Sequence, residues 1–333
     1  MSRRNILLDA ISEAGRLHQK VQSQELVAKR GGGIDVFGAI LQLSVPLLFR
    51  PLDKLLGAFV PRPSAGIIVT TQRNLAVQRF TASHELGHFV LGHGGSFDDD
   101  SILNRSPFGA SRYSDVEAAA DAFAASFLMP KWLFEEHATR QGWDADTFSD
   151  SRAVYQLSLR AGASYEATCR ALQRYNVISS GQLDKHLESS PKKIKQTLLG
   201  NYQMNNWYPD VWLLTERDQG TLIQGGPNDV FLVRLKENSG AGYLWTTDQL
   251  RDAGFTVVSD ERMIADDSEE VGGIVDRVLV AVSQFEAAGK LDLTQSRPWD
   301  PDTQDAQHFT VVYELLGKEN GLPRAQRTKV AAA

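Results

Sequence analysis

The segment Arg79-Phe-Thr-Ala-Ser-His84-Glu85-Leu-Gly-His88-Phe-Val-Leu-Gly-His93 decides how the first half of the chain is interpreted. In a helix, about 100° of rotation per residue places His84 and His88 one turn apart on one face, with Glu85 beside them. Two imidazoles at this spacing can reach a single zinc ion, and the adjacent carboxylate can serve as a general base. The segment is therefore predicted to be a metal-binding helix, ended by the glycines that begin at Gly92.

A second segment, from Ser114 to Pro130, is predicted to supply the missing ligand. Catalytic zinc usually takes three protein ligands and leaves the fourth position to water. Glu117 is the predicted third ligand, and Asp121, four residues later on the same face, is predicted to fix the tautomer of a ligand imidazole. Ser114 and Glu117 also fit a capping box, in which the glutamate would only close the helix start. We favour the ligand role because the surrounding alanines let another backbone approach closely.

His93 is the alternative third ligand. It lies nine residues after His84 and would point to the opposite side if the helix continued. The longer metzincin pattern, with a glycine seven and a histidine ten residues after the first histidine, is also not met. We therefore interpret His93 as a surface histidine that follows the helix.

These two segments resemble the ImmA/IrrE family of metallopeptidases, which join a His-Glu-x-x-His helix to a Glu-x-x-x-Asn/Asp helix ending in Leu-Met-Pro. The matching residues are Phe80, Thr81, His84 to His88, Glu117, Asp121 and Phe127 to Pro130. The resemblance covers roughly the first half of the chain. It implies a thermolysin-like, zincin-type fold and relatives that cleave helix-turn-helix repressors in stress or mobile-element control.

Composition limits the class of protein. The 333 residues, 42% of them hydrophobic, are enough for two or three domains with cores of their own. Cys169 is the only cysteine, so no internal disulfide can form, and a reducing compartment, the cytoplasm, is predicted. The apolar run Ile6-Leu-Leu is interrupted by Asp9 and Glu13 and predicts an amphipathic helix, with no core of a signal peptide.

The apolar stretch from Ala39 to Val60 does not predict a membrane segment, because Arg50, Asp53 and Lys54 interrupt it and two prolines oppose a continuous helix. We predict a short helix at residues 35–43 and a strand at 47–50 instead.

Together with a strand at residues 66–70, these elements are predicted to form the small sheet on which the metal helix packs. An edge strand of such a sheet would bind an extended peptide through backbone hydrogen bonds, which favours a protein substrate. Residues 94–113, with the acidic run Asp98 to Asp100, are predicted to be a loop at the rim of the cleft.

Residues 150–160 and 165–174 have helical patterns joined across Ala161-Gly-Ala-Ser164, which is typical of a helix-turn-helix. The predicted core residues of this pair are Val154, Leu157, Leu159, Ala167, Ala171 and Leu172. The predicted basic surface consists of Arg152, Arg160, Arg170 and Arg174. Residues 131–195 contain ten basic and eight acidic residues, so a packing module is favoured over a DNA-binding one.

The remainder of the chain shows short β-rich runs separated by glycines and turn residues, a pattern that predicts an antiparallel sandwich. The runs are residues 211–214, 230–235, 278–281 and 308–315. Residues 196–333 contain 21 acidic and 12 basic residues, a balance of −9 against −6 for the whole chain. Nucleic acid is therefore not expected to bind here.

Three loops of this region resemble the chagasin family, immunoglobulin-like inhibitors of papain-type cysteine proteases. Residues 238–245 stand where the family has Asn-Pro-Thr-Thr-Gly-Tyr-x-Trp, and Gly272-Gly273 and Arg297-Pro-Trp-Asp300 match its second and third loops. The fold resemblance covers most of residues 205–318. In the first loop, residues 239–241 are Ser-Gly-Ala, which removes the rigidity and the hydroxyls that would enter a protease cleft.

The loops are nevertheless predicted to form one contact edge for a protein partner, because loops that join alternate strands cluster at one end of such a fold. The predicted contact residues are Gly240, Gly242, Gly272, Gly273 and Trp299. The glycines allow close approach, and Trp299 on a proline-stiffened loop is a suitable anchor. Trp245 is predicted to be a buried core aromatic.

The sequence thus predicts an α+β multidomain protein. Residues 1–145 would form a zincin-like metallopeptidase domain with a small antiparallel sheet. Residues 146–204 would form a helical, helix-turn-helix-like subdomain, and residues 205–333 an all-β immunoglobulin-like sandwich.

The predicted function is that of a cytoplasmic zinc endopeptidase. His84, His88 and Glu117 would hold Zn²⁺, and Glu85 would take a proton from the attacking water and pass it to the leaving amine. Tyr113 is a candidate for stabilising the oxyanion. The alternative function is a non-catalytic zincin scaffold whose sandwich inhibits a cysteine protease or acts as an adaptor.

Overall fold

A computed structural model describes residues 2–101, 113–264, 274–283, 285–300 and 306–331. The first half is a small sheet packed against helices. The helices are α1 (Arg3–Lys20), α2 (Ser23–Arg30), α3 (Val36–Gln42), α4 (Leu75–Val90), α5 (Asp115–Leu128) and α6 (Lys131–Gln141). The strands are β1 (Leu47–Arg50), β2 (Gly57–Val60), β3 (Gly66–Thr70) and β4 (Ser96–Asp98). They lie in the order β1-β3-β2-β4.

This sheet differs from the prediction in two respects. The β1–β3 pair is parallel, so the sheet is mixed and the prediction of an antiparallel sheet is wrong for that pair. In addition, β2 and β4 were not predicted. β4 lies in the segment that the acidic run indicated as a rim loop. Its first and last residues, Ser96 and Asp98, are buried, while Phe97 between them is 74% exposed. The rest of that segment, residues 102–112, lies outside the described residues.

The metal helix α4 forms where the sequence placed it. The side chain of Asn74 caps its first turn by accepting a hydrogen bond from the amide of Val77, and Gly92, with φ of +68°, follows its end. α4 crosses α5 closely at Gly87, where an added Cβ would lie 3.3 Å from Cα of Ala120. The small residues of both helices therefore allow the backbone approach that the alanines of α5 predicted.

The apolar segment 39–60 is divided among α3, β1 and β2, as its charges and prolines indicated. Among the described residues, no helix has both the length and the apolar character needed to cross a membrane.

The next segment is helical. Its helices are α7 (Ser151–Ala161), α8 (Tyr165–Arg174), α9 (Ser180–Leu187) and α10 (Pro191–Leu199). Gly162, with φ of +68°, makes the turn between α7 and α8. One continuous apolar cluster extends from Ala10 to Ile194, so these helices share a core with the first half of the chain. The predicted division at residue 145 is therefore not a boundary between cores.

The predicted basic surface of these helices is wrong for Arg160. This side chain is buried, and its Nη2 lies 2.8 Å from Oδ1 of Asp218. Arg152 and Arg170 are exposed, and each pairs with an acidic neighbour in its own segment. A basic surface formed by all four arginines is thus not present.

The C-terminal region is a sandwich of two four-stranded sheets, in the orders β5-β7-β10-β9 and β6-β12-β11-β8. Its strands are β5 (Val211–Leu214), β6 (Leu222–Gln224), β7 (Val230–Glu237), β8 (Leu244–Trp245), β9 (Phe255–Ile264), β10 (Val275–Ser283), β11 (Ala287–Ser296) and β12 (Gln307–Leu315). Its helices are α11 (Asp248–Asp252) and α12 (Arg324–Ala331). β5 is parallel to β7 and β6 to β12, so the predicted antiparallel arrangement holds only for the other pairs. Trp245 is buried, as predicted.

Buried polar contacts join the sandwich to the metal helix and its sheet. After β12 the chain returns to the first half, where the amides and carbonyls of Gly321 and Phe49 exchange two hydrogen bonds of 2.8 and 2.9 Å along the edge of β1. Gln78 on α4 donates to the carbonyl of Glu319 at 3.0 Å and accepts from its amide at 2.7 Å. The sandwich is therefore attached to the helix that carries the histidines.

The Arg160–Asp218 pair generates a stability prediction. Asp218→Asn should lower the free energy of unfolding by about 3–5 kcal/mol, because the buried guanidinium of Arg160 loses its charged partner. The matched control is Glu166→Gln, which removes the exposed partner of Arg170 and should change stability by about 0.5 kcal/mol or less. Chemical denaturation of the full chain measures both. Equal effects for the two variants would contradict the role given to the buried pair.

Candidate metal centre

The crossing of α4 and α5 brings the three predicted ligands together. Nε2 of His84 lies 3.0 Å from Nε2 of His88 and 3.3 Å from Oε2 of Glu117. Nε2 of His88 lies 3.8 Å from Oε1 of Glu117. Both imidazoles are buried, whereas the Glu117 side chain is 23% exposed. The amide of Glu117 donates to the hydroxyl of Ser114, so the helix is capped by Ser114 while the Glu117 carboxylate faces the histidines.

Asp98 on β4 is a fourth member that the sequence analysis did not identify. Its Oδ2 lies 3.4 Å from Nε2 of His84, and the side chain is 4% exposed. One ligand atom from each of the four side chains, those of His84, His88, Asp98 and Glu117, lies within 4.8 Å of the others. In the sequence, only the spacing of Ser96 and Asp98 two residues apart indicates that both side chains share one face of a strand. The run of three aspartates at residues 98–100 hides this spacing, because it is also typical of an exposed loop.

Partners on the far side of each imidazole orient the two histidines. Oδ1 of Asp121 lies 2.8 Å from Nδ1 of His84, which is the contact predicted for a second carboxylate. Nδ1 of His93 lies 3.1 Å from Nδ1 of His88. The interpretation of His93 as a separate surface histidine is therefore wrong. Gly92 turns the chain at the helix end, so that the amide of His93 bonds the carbonyl of His88 and its ring returns to the site.

The charges around the histidines are unequal. Burial disfavours the protonated form of His84, but contacts of its ring nitrogens with the carboxylates of Asp121, Asp98 and Glu117 outweigh this effect and raise the pKa of His84 well above its usual value. At His88, burial and the positive charge of His84 lower the pKa to about 4, although Glu117 opposes the shift. The carboxylates of the pocket thus place their negative charge mainly around one imidazole, that of His84.

Glu85, the predicted base, is fully buried beside this cluster. Burial raises the pKa of Glu85 well above its usual value, and the neighbouring Asp98 adds to the shift, although His84 and the Ser96 hydroxyl oppose it. The hydroxyl of Ser96 donates to Oε2 of Glu85 at 2.5 Å. Gly57 on β2 makes room for the carboxylate, since an added Cβ would lie 2.8 Å from Oε1 of Glu85. Ser96 and Gly57 were not predicted to belong to the site.

The donor set fits a zinc ion. Zinc binds histidine nitrogens and carboxylate oxygens at about 2.0–2.2 Å, so the corners of a tetrahedron of ligands lie about 3.3–3.6 Å apart. The distances among His84, His88 and Glu117 range from 3.0 to 3.8 Å and bracket this value. Each imidazole also has a partner at Nδ1, which directs Nε2 toward the shared point.

Tyr113, the candidate oxyanion stabiliser, precedes α5. Its ring centroid lies 5.7 Å from the guanidinium carbon of Arg3. Nη1 of Arg3 donates to the carbonyl of Tyr113 at 3.3 Å and also pairs with the carboxylate of Asp115. These contacts tie Tyr113 to α1, and its role at the oxyanion stays a prediction.

The first and third loops of the sandwich are adjacent, as the predicted contact edge requires. Trp299 is 72% exposed and covers Gly242, where an added Cβ would lie 2.5 Å from the indole ring. The guanidinium of Arg297 lies 4.6 Å from the ring centroid of Tyr243. Gly240 is exposed in the same first loop. The remaining predicted contact residues, Gly272 and Gly273, lie outside the described residues, and partner binding at this edge stays a prediction.

Comparison with known families separates two parts of the chain. Residues 42–173 match the IrrE N-terminal-like domain, and residues 226–313 match the chagasin family of peptidase inhibitors. The first match contains all the residues of the metal centre. The second contains the first loop of the sandwich and most of its strands.

Two curated relatives share the first part. The radiation response metalloprotease IrrE of Deinococcus deserti is 29% identical over 160 residues, which are 46% of this chain and 53% of the relative. IrrE of Deinococcus radiodurans is 31% identical over 131 residues, 38% of this chain and 36% of the relative. The chain thus spans about half the length of these relatives or less.

Solved structures are similar to the sandwich. A cysteine protease inhibitor of Entamoeba histolytica has 21% identity and a TM-score of 0.29, covering 32% of this chain and 97% of its own. The Leishmania mexicana ICP has 20% identity and a TM-score of 0.21, and the match covers 35% of this chain and 99% of that protein. The family matches thus place a segment similar to the IrrE N-terminal-like domain before a segment similar to the chagasin family of peptidase inhibitors.

Proposed function

We propose that this chain is a zinc-dependent endopeptidase that cleaves a protein substrate. The observation that carries the proposal is the convergence of His84, His88 and Glu117 at the spacing of zinc ligands, with the buried carboxylate of Glu85 beside them. Its similarity to the IrrE metalloproteases of two Deinococcus species supports the same chemistry.

Each residue of the site has a proposed task. Zinc, when bound, lowers the pKa of a water ligand to about 7 and polarises the scissile carbonyl. Glu85 takes the proton of the attacking water and transfers it to the leaving amine. Ser96 orients Glu85 by donating to its carboxylate, and Asp121 holds His84 through Nδ1. Tyr113 is retained as the candidate for the oxyanion.

The substrate is proposed to be a protein in extended conformation. β4 pairs with β2 on one side, and no other strand of the described chain pairs with its second side. Such an edge can bind a peptide backbone. Following the IrrE resemblance, we propose a helix-turn-helix repressor as the substrate, in a cytoplasmic stress response that regulates transcription.

The sandwich is proposed to dock or sense a protein partner, with Trp299 at the contact edge. An exposed tryptophan on a stiff loop is a suitable anchor, and the net charge of −9 over residues 196–333 favours a basic partner. Inhibition of a papain-type protease is the second candidate, supported by the match to chagasin-family inhibitors. We rank it lower because the first loop, residues 239–241, lacks the family's proline and threonines.

The ligand set predicts the metal content of the protein. The purified chain should bind about one zinc ion, and His84→Ala, His88→Ala and Glu117→Ala should each weaken zinc binding sharply, because each variant removes one proposed ligand. His93→Ala, which removes only a partner of His88, should lower the affinity by about 10–100-fold and keep the stoichiometry at saturating zinc. Metal analysis and a competition titration measure both quantities. An unchanged zinc affinity of Glu117→Ala would show that this residue is not a ligand.

If Glu85 is the general base and not a ligand, its substitution should lower activity without loss of the metal. Glu85→Gln should retain zinc and lose about 10²–10⁴-fold in cleavage rate, because the amide cannot accept the proton. The measurement is cleavage of the helix-turn-helix repressor encoded nearest to this chain, followed by mass spectrometry. Glu135→Gln, on the exposed face of α6, is the control. Turnover by Glu85→Gln equal to that of the control would contradict the mechanism.

The altered first loop predicts weak inhibition of cysteine proteases. Up to micromolar concentrations, the full chain should leave the activity of papain unchanged, because Gly240 and Ala241 stand where the family has its two threonines. A variant that restores Pro, Thr and Thr at residues 239–241 is the matched comparison. Nanomolar inhibition of papain by the unaltered chain would establish the second candidate function instead.

A further inference from the structure

We propose that Asp98 is a fourth protein ligand of the metal and that it closes the site of the resting protein. The inference rests on the proposed metal site and adds a residue that neither the sequence motif nor the assigned roles contain. It makes the resting form latent, with the position of the attacking water filled by a carboxylate.

The geometry around His84 supports this assignment. Oδ2 of Asp98 lies 3.4 Å from Nε2 of His84, almost the same as the 3.3 Å between that nitrogen and Oε2 of Glu117. Both values match the edge of a zinc tetrahedron, about 3.3–3.6 Å. With His88, the side chains supply four donor atoms, the number that a structural zinc site uses. Asp98 therefore lies where a fourth ligand belongs.

The backbone holds Asp98 in this place. β4 pairs antiparallel with β2, with Asp98 opposite Gly57, and the Asp98 carbonyl accepts a hydrogen bond of 2.7 Å from the amide of Leu56. Alternation along the strand turns Ser96 and Asp98 toward the site and Phe97 away from it. Asp98 thus comes from a paired strand, whereas its neighbours Asp99 and Asp100 are exposed.

A four-ligand site has a consequence for activity. Catalytic zinc keeps one position for water or substrate, whereas closed sites are structural. Cleavage would require the Asp98 carboxylate to leave the metal, so that a water beside Glu85 can take its position. β4 has only three residues and lies at the edge of the sheet, so its displacement breaks few hydrogen bonds. Binding of an extended substrate at this edge is one event that can supply the displacement.

Asp98 also lies against Glu85 and raises the pKa of that carboxyl. A residue that acted only on Glu85 would be a positioning residue outside the metal shell. The two roles differ in one measurable property, because only a ligand leaves an open coordination position when it is removed. The test must therefore detect an open coordination position on the metal. Cleavage activity cannot separate the two roles, since either one would change it.

The experiment uses the full chain loaded with Co²⁺, whose visible absorption reports changes in coordination. Imidazole, a neutral ligand, is titrated into the unaltered protein, Asp98→Ala and the exposed control Asp99→Ala. We expect imidazole to change the spectrum of Asp98→Ala at concentrations at least tenfold lower than those needed for the other two proteins. Equal imidazole affinity in all three would overturn the proposal, because Asp98 would then not occupy the fourth position.

Asp98→Asn is the second variant, in case the alanine protein does not fold. It keeps the size of the side chain but offers a poorer ligand, so it should also bind imidazole more tightly than the Asp99→Ala control. Binding of one Co²⁺ by these variants shows that the three remaining ligands hold the metal. Failure of the unaltered protein to bind Co²⁺ would overturn both the inference and the proposed function. An open site in the unaltered protein would overturn the inference alone.

Discussion

Three carboxylates surround one buried imidazole, and the rest of the site depends on this concentration of charge. Asp121 contacts Nδ1 of His84, while Asp98 and Glu117 approach Nε2. These carboxylates stabilise the protonated form of His84, which explains why its pKa is raised. Burial of uncompensated charge is costly, so the arrangement favours a divalent cation at Nε2. The close crossing of α4 and α5 is what brings the charges together, since small side chains at Gly87 and Ala120 permit it.

Sequence reasoning identified the parts of the site that follow helical periodicity. Residues spaced four apart on a helix share a face whatever surrounds them, and so His84, His88, Glu117 and Asp121 were assigned together. Asp98 and His93 were missed because their positions depend on chain reversals. A three-residue strand is too short to show alternation clearly, and the turn at Gly92 brings His93 back toward a helix that it was expected to leave. The sandwich strands were recognised from β-rich runs, but the parallel pairs required knowledge of which strands meet.

Buried polar contacts join the first half of the chain to the segment between β5 and β6 and to the segment after β12. Gln78 lies on the same helix as His84, and its amide side chain exchanges two hydrogen bonds with the backbone of Glu319. Gly321 pairs with Phe49 along β1, and Arg160 is neutralised by Asp218. Buried polar contacts of this kind are costly to leave unpaired, so the sandwich is part of what positions α4. A partner that binds the sandwich would therefore bind a part of the protein that contacts α4 directly. The segment after β12 therefore contributes contacts to the first half of the chain.

We propose that a zinc ion lies between the Nε2 atoms of His84 and His88. Anomalous diffraction from crystals of the zinc-loaded protein, recorded on both sides of the zinc absorption edge, tests it directly. The account predicts one peak per chain, about 2.0–2.1 Å from each of the two Nε2 atoms and about 2.0–2.2 Å from an oxygen of Glu117. A peak that is absent from this position, or that lies beyond bonding distance of either histidine, would contradict the account.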